Sequence, residues 1–181
     1  MNSDIELVNR CLKKDAKAQT DFYQLFAPKM YGVCLRFAKN QMEADDMLQE
    51  GFIKVFLNLK SFRNEGSLEG WIRRTIVNTA INIYKKNVKF QKDIEIDKAE
   101  IVQNENPGVL DKLNVEELLK LITDLPTGYR MVFNLNIIEG YTHKEISELL
   151  NISENTSKSQ LSRARQTLQK KIAELSGKQY E

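Results

Sequence analysis

Long apolar runs are the first thing missing from this 181-residue chain. Its longest stretch free of Asp, Glu, Lys and Arg is the ten residues Thr75–Tyr84, about half of the ~20 needed to span a bilayer. The opening residues, MNSDIELVNR, hold no apolar core of the kind a secretion signal needs. Membrane insertion and secretion are not expected, and a cytoplasmic location is. Cysteine is scarce too. Cys11 and Cys34 are far apart, in no metal-ligand spacing, and sit among apolar helical positions, so buried free thiols in a reducing compartment are expected. The single histidine, His143, falls in the first turn of an expected helix, where a surface residue is a better reading than a ligand or catalytic base. Glu43, Asp46 and Glu50 have the spacing of carboxylate metal sites in helical bundles, but no Glu-x-x-His partner exists. There is no P-loop, no dinucleotide fingerprint and no nucleophile–base pairing. An enzyme, a metal and a cofactor are therefore not expected.

Strand-like alternation is absent as well, which leaves helical periodicity to organise the chain. In DDMLQEGFIKVFLNL, Leu48, Phe52, Val55 and Leu59 recur at i, i+4, i+7 and i+11 and predict one core-facing stripe. At about 100° per residue, Asp46, Glu50, Ile53 and Leu57 share the opposite side. Carboxylates beside branched apolar residues on an outward face suit a docking patch better than a solvated one.

Charge is segregated. Trp71–Lys92 carries six Lys/Arg and no acid, and Asn155–Ala173 carries five and no acid, so the remaining 140 residues hold −9 of a total of +2. Acid-free basic segments on an acidic body favour two nucleic-acid contacts. Trp71, at the head of the first, is either a core tryptophan or a DNA contact.

Further along the chain, Ser3–Glu6 has the form of a capping box and opens a helix with Ile5, Val8 and Leu12 on one side. Asp15 caps a second helix with Phe22, Leu25 and Phe26 in a stripe. Pro28 fits the first turn of a third helix, Lys29–Lys39, better than a helix interior. Asn40 caps the docking helix, Lys60–Gly66 reads as a loop, and Ser67 restarts the chain into the Trp71 helix. Residues 89–108 lose periodicity and end in Asn-Pro-Gly, a turn signal, so they are expected to link two domains, 1–88 and 109–181. Helical spacing returns from Val109 to Ile122. Asp124-Leu-Pro126 opens the next helix, with Met131, Val132 and Leu135 inward and Gly140 as its stop. Thr142–Glu145 is a second capping box, and Ser153 caps a helix three residues after the first ends. Two short helices joined by Asn151-Ile152-Ser153 make a helix-turn-helix signature. Leu161, Ala164, Leu168 and Ile172 line one face of the second helix, and Asn155, Lys158, Ser159, Ser162, Arg163 and Gln166 the other, as a major-groove reader needs. The expected fold is all-α: two small helical domains on a flexible linker, the C-terminal one a helix-turn-helix.

These blocks resemble the extracytoplasmic-function group of bacterial sigma factors over nearly the whole chain. The resemblance is carried by ADDMLQEGFIKVF (44–56), FRNEGSLEGWI (62–72), NTAIN (78–82), LPTGYRMVF (125–133), EGYTHKEIS (139–147) and NTSKSQLSRAR (155–165). It implies that Asp46, Gln49 and Glu50, with Phe52 and Ile53, grip the clamp helices of the largest subunit of core RNA polymerase. The second domain would meet the flap of the second-largest subunit. The loop holding Ser61, Phe62, Arg63 and Asn64 would capture a base flipped from the minus-ten element. Trp71, Arg73, Arg74, Asn78, Asn82 and Lys85 would help part the strands and hold the exposed one. Thr156, Lys158, Ser159, Ser162, Arg163 and Arg165 would read the duplex minus-thirty-five element. The linker would thread towards the polymerase active centre, and an anti-sigma factor would hold the protein inactive. Two departures stand out: Ser157 where valine is usual, and Gln160 where arginine is common. Two other readings compete. An autonomous helix-turn-helix regulator accounts for the second half but leaves Trp71–Lys92 unexplained, and it predicts tight duplex binding by the protein alone. A pure protein-interaction bundle leaves the basic helix merely solvated.

Overall fold

The computed structural model describes residues 2–92 and 115–177. These form eight α-helices, and no strand occurs among them: α1 (Asn2–Leu12), α2 (Ala16–Phe37), α3 (Gln41–Asn58), α4 (Leu68–Lys92), α5 (Val115–Thr123), α6 (Thr127–Phe133), α7 (His143–Leu150) and α8 (Glu154–Gly177). The chain divides into two compact units, Met1–Ile83 and Tyr84–Glu181. Helix α4 continues through Lys92; beyond that point the expected linker lies outside the described residues, as do 109–114 of the segment expected to regain helical spacing.

In the first unit the helix starts are set by side-chain caps. Asp15 accepts the Ala18 N–H at 3.1 Å and is tied to Arg10 at 2.8 Å. These two contacts, the backbone one first, hold its carboxyl below the usual range. Asn40 accepts from the Glu43 N–H at 2.9 Å while the Glu43 carboxylate accepts from the Lys39 N–H at 2.6 Å, so two otherwise orphaned donors are satisfied reciprocally. The predicted α3 stripe is real: Leu48, Phe52, Val55 and Leu59 are all buried. It packs on α2 through an aromatic cluster in which Phe22 meets Phe26 at 5.0 Å and Phe56 at 5.4 Å, and Phe52 meets Tyr23 at 4.8 Å. Helix α4 crosses α3 where Gly51 lacks a side chain, because a Cβ there would fall 2.3 Å from Ile76 Cδ1. Leu68, Ile72, Ile76 and Ala80 form the buried side of α4, each large one worth roughly 1.5–3 kcal/mol of burial.

Three expectations fail here. Pro28 lies inside α2, not at the start of a new helix. It removes one backbone bond and crowds the preceding turn. Buried residues on both sides of it, Phe22, Phe26 and Ala27 before and Met30, Val33, Cys34 and Phe37 after, nonetheless keep one helix. Leu25 is 56 % exposed, because the stripe runs through Phe22 and Phe26 and leaves it at the edge, and Ile5 and Leu12 flank α1's buried Val8 and Cys11 in the same way. Helix α1 already begins at Asn2, so Ser3 lies in its first turn rather than ahead of it.

The second unit is built around α8. Leu121, Leu125, Met131, Val132, Leu135, Ile146, Leu150, Leu161 and Ala164 are its buried apolar residues. The buried Arg130 donates through Nη1 to the Thr123 carbonyl, satisfying an end of α5, and Asn134 Nδ2 donates to the Arg130 carbonyl at 2.9 Å. After α6 the chain widens into a π-helical turn, Asn134–Ile138, closed by Glu139 N–H to the Asn134 carbonyl at 2.9 Å, and Gly140 ends it at φ +78°. The Thr142–Glu145 capping box then starts α7 with both of its bonds present.

Candidate functional site

Three surfaces carry the residues singled out by the sequence. The first is the outward face of α3. Asp46, Gln49 and Glu50 are exposed, and Ile53 and Leu57 stand 54 % and 76 % exposed beside them. Branched apolar residues exposed beside carboxylates are what the expected docking patch requires. Glu50 pairs with Lys54 one turn on at 2.6 Å, an exposed pair worth little. Phe52 is a correction: only 3 % exposed and held among Tyr23 and Phe56, it supports this face from behind and presents nothing to a partner.

The second surface is a cavity of about 460 Å³ between the loop after α3 and the start of α4, within the roughly 300–1,000 Å³ range of small-ligand sites. Ser61, Phe62, Arg63, Trp71 and Arg74 are among its walls. The Phe62 and Trp71 rings lie 5.8 Å apart, tilted by 58°, so the half-buried indole belongs both to the packing and to the cavity wall. The loop is locally built: Ser61 Oγ donates to the Asn58 carbonyl at 2.7 Å, and Ser67 Oγ receives the Gly70 N–H at 3.0 Å. Asn64 takes a left-handed φ of 58° at the exposed tip. Lys29 of α2 meets Glu69 in the first turn of α4 at 2.6 Å. From the cavity, Arg74, Asn78 and Asn82 run along α4 at i, i+4 and i+8, all exposed, with Lys85 also exposed further along. Arg73 is half-buried. The arrangement offers two tilted aromatic rings, two guanidinium groups and a polar ridge, groups of the kind that stack a base and follow a single strand.

The third surface is the helix-turn-helix. Asn151, at φ 55° and ψ 50°, makes the turn from α7, and Ser153 Oγ receives the Thr156 N–H at 3.0 Å to start α8. Lys158, Ser159, Ser162 and Arg165 are exposed; Lys158 lies 3.7 Å from Glu154. Thr156 is half-buried, its hydroxyl against Ser153 Oγ at 2.8 Å, so it serves the cap. Arg163 is half-buried, with Nη1 donating to the Tyr129 hydroxyl of α6 at 3.4 Å. Two contacts were missed in the sequence. One is this Arg163–Tyr129 bond. The other joins His143 Nδ1 to the fully buried Ser157 Oγ at 2.9 Å. A hydroxyl on the apolar face of one helix, with a lone imidazole at the start of the helix before it, was the signal available. Gln160 packs its amide against Gly128. No helix among the described residues is long and apolar enough to cross a membrane.

Known families and proteins are similar to the chain along its length. The Sigma-70 region 2 family matches residues 22–90 and the Sigma-70 region 4 family residues 115–168. The ECF RNA polymerase sigma factor SigW of Bacillus subtilis is 30% identical over 179 residues, spanning 93% of this chain and 96% of that protein. The ECF RNA polymerase sigma-E factor of Escherichia coli K12 is 28% identical over 184 residues, spanning 96% of each. Among solved structures, the sigma factor RpoE in complex with the anti-sigma factor NepR from Bartonella quintana has a similar fold. Its TM-score is 0.50 at 19% identity, covering 85% of this chain and 96% of that one.

Proposed function

The chain belongs to the extracytoplasmic-function sigma factors of the sigma-70 family, and from that membership we propose that it binds core RNA polymerase, brings it to particular promoters and helps to open them. It acts in the cytoplasm, as an initiation factor that catalyses no chemistry of its own. The observation that carries this reading is the cavity walled by Phe62, Trp71, Arg63 and Arg74 at the head of an exposed polar row on α4. Melting a duplex costs a few kcal/mol per extruded base. A site that stacks the extruded base and a cationic row that holds the bared strand offset that cost.

Residues 1–88 take the polymerase clamp helices through Asp46, Gln49, Glu50 and Ile53, and the minus-ten element through the cavity and α4. Residues 109–181 take the duplex minus-thirty-five element on α8 and the polymerase flap. Residues 89–108 connect them, and an anti-sigma factor keeps the protein silent by covering these surfaces. The test is co-elution of the purified protein with bacterial core RNA polymerase, wild type against the Asp46→Lys/Ile53→Asp double variant. The expected result is a stable complex that the double variant does not form. Absence of a complex, together with tight binding of duplex DNA by the protein alone, makes it an autonomous regulator instead.

A further inference from the structure

The bond between His143 and Ser157 occupies an unusual place in the helix-turn-helix. His143 is the first residue of α7, the end farthest from the turn, and the Thr142–Glu145 box fixes its backbone: the Thr142 N–H donates to Glu145 Oε2 at 2.8 Å and the Glu145 N–H to Thr142 Oγ1 at 3.2 Å. Ser157 lies one turn into α8, its N–H bonded to the Ser153 carbonyl at 3.0 Å. The 2.9 Å contact therefore joins residues fourteen apart, across a triangle whose other sides are α7 and the start of α8. The burial of Ile146, Leu150, Leu161 and Ala164 is a non-directional gain that tolerates sliding. A hydrogen bond closing the third side does not, since its strength falls steeply with angle. Ser157 is also fully buried, so a lost partner leaves its hydroxyl with a desolvation cost that a shift of α8 can relieve.

We propose that His143 is a positioning residue for promoter reading: through Nδ1 it holds Ser157, and so sets the angle at which α8 presents Lys158, Ser159 and Ser162 to the base edges of the minus-thirty-five element. The proposal rests on the sigma-factor reading above. It is specific about the atom. Asparagine carries a polar atom where histidine carries Nδ1, whereas glutamine carries it one bond further out, close to Nε2. His143→Asn can keep the bond to Ser157; His143→Gln and His143→Ala cannot.

The experiment uses the full chain assembled with core RNA polymerase and a pool of promoter fragments randomised over both promoter elements. The readout is the ratio of preferred to least-preferred base at each minus-thirty-five position. His143→Ala, His143→Gln and Ser157→Ala are expected to lower that ratio roughly tenfold, about the worth of one directional bond, at unchanged polymerase co-elution and unchanged minus-ten preference. His143→Asn is expected to stay within about twofold of wild type. Three results overturn the proposal. If all four variants keep the wild-type ratios, the bond positions nothing. If glutamine preserves them and asparagine does not, His143 acts through Nε2 on the DNA itself. If the wild type co-elutes with polymerase yet selects no minus-thirty-five sequence, the positioning role falls while polymerase binding stands.

Discussion

At the scale of single residues, Trp71 repays the closest reading, because it is the chain's sole tryptophan and its emission reports on one place. It packs on Phe62 and walls the cavity at once. If the cavity takes a base beside this indole, as proposed, single-stranded minus-ten DNA should quench its fluorescence, and duplex of the same sequence should not. Trp71→Phe should keep binding of the strand, while Trp71→Ala should lose about 1–3 kcal/mol, the worth of one stacked base. An emission spectrum unchanged by saturating single strand would assign the indole to packing alone. Helical spacing had put Asp46, Glu50, Ile53 and Leu57 on one exposed face, and they are exposed. Spacing had also placed Phe52 in the core-facing stripe, but it could not show that Tyr23 and Phe56 are the rings that cover it, nor that Arg163 leans onto Tyr129 of another helix. Such contacts depend on the tertiary partner, about which periodicity says nothing.

Cys34 gives a second residue-level prediction. Burial pushes its thiol up to about 12 from an ordinary value of 9.0, and the Cys11 thiol is raised by burial too. Ellman's reagent at pH 8 should label neither in the native protein and both in urea. The folded-state value lies above the unfolded one, so the neutral thiol's contribution is whole below pH 9 and drains away as the pH climbs towards 12. Over pH 9–11 the urea midpoint of the wild type should fall faster than that of Cys34→Ala.

Among the elements, α2 shows where local rules yield to the core. Proline and its neighbours spoke for a boundary at residue 28, yet one helix runs from Ala16 to Phe37. The buried residues on either side of Pro28 are what outweigh a penalty of about 3 kcal/mol. Pro28→Ala restores a donor and removes the crowding, so it should stabilise the protein by roughly 1–3 kcal/mol in urea denaturation. A gain of nothing would mean that the helix has relaxed around the ring. The helix-turn-helix was far more legible, because its signals are local: the capping box, the Ser153 cap and the Asn151 turn all sit where the residue types require. Asn151 is left-handed, so Asn151→Ala should cost about 1–2 kcal/mol and Asn151→Gly next to nothing. The π-helical turn at Asn134–Ile138 had no such signal; one extra residue in a turn leaves the apolar spacing on both sides nearly intact.

For the molecule as a whole, the net charge of +2 conceals its distribution. Two acid-free segments carry eleven Lys/Arg and the rest of the chain is acidic, so the basic charge is concentrated on α4 and α8, while the exposed α3 face carries Asp46 and Glu50. This segregation of charge was legible in the sequence, because it follows from residue order alone. The structure adds that Arg74, Lys85, Lys158 and Arg165 are exposed on those two helices. Each phosphate neutralised on duplex contributes about 0.9 to the slope of log affinity against log salt, and about 0.7 on a single strand. Replacing Lys158 and Arg165 by glutamine should therefore flatten the salt dependence of closed promoter binding by the polymerase complex by roughly 1.8. Replacing Arg74 and Lys85 should leave that step alone and flatten the opening step by roughly 1.4. The separation is what makes the prediction sharp. If either pair moved both steps equally, the two basic helices would not be dividing duplex from single strand, and the charge pattern would be a general affinity for polyanions.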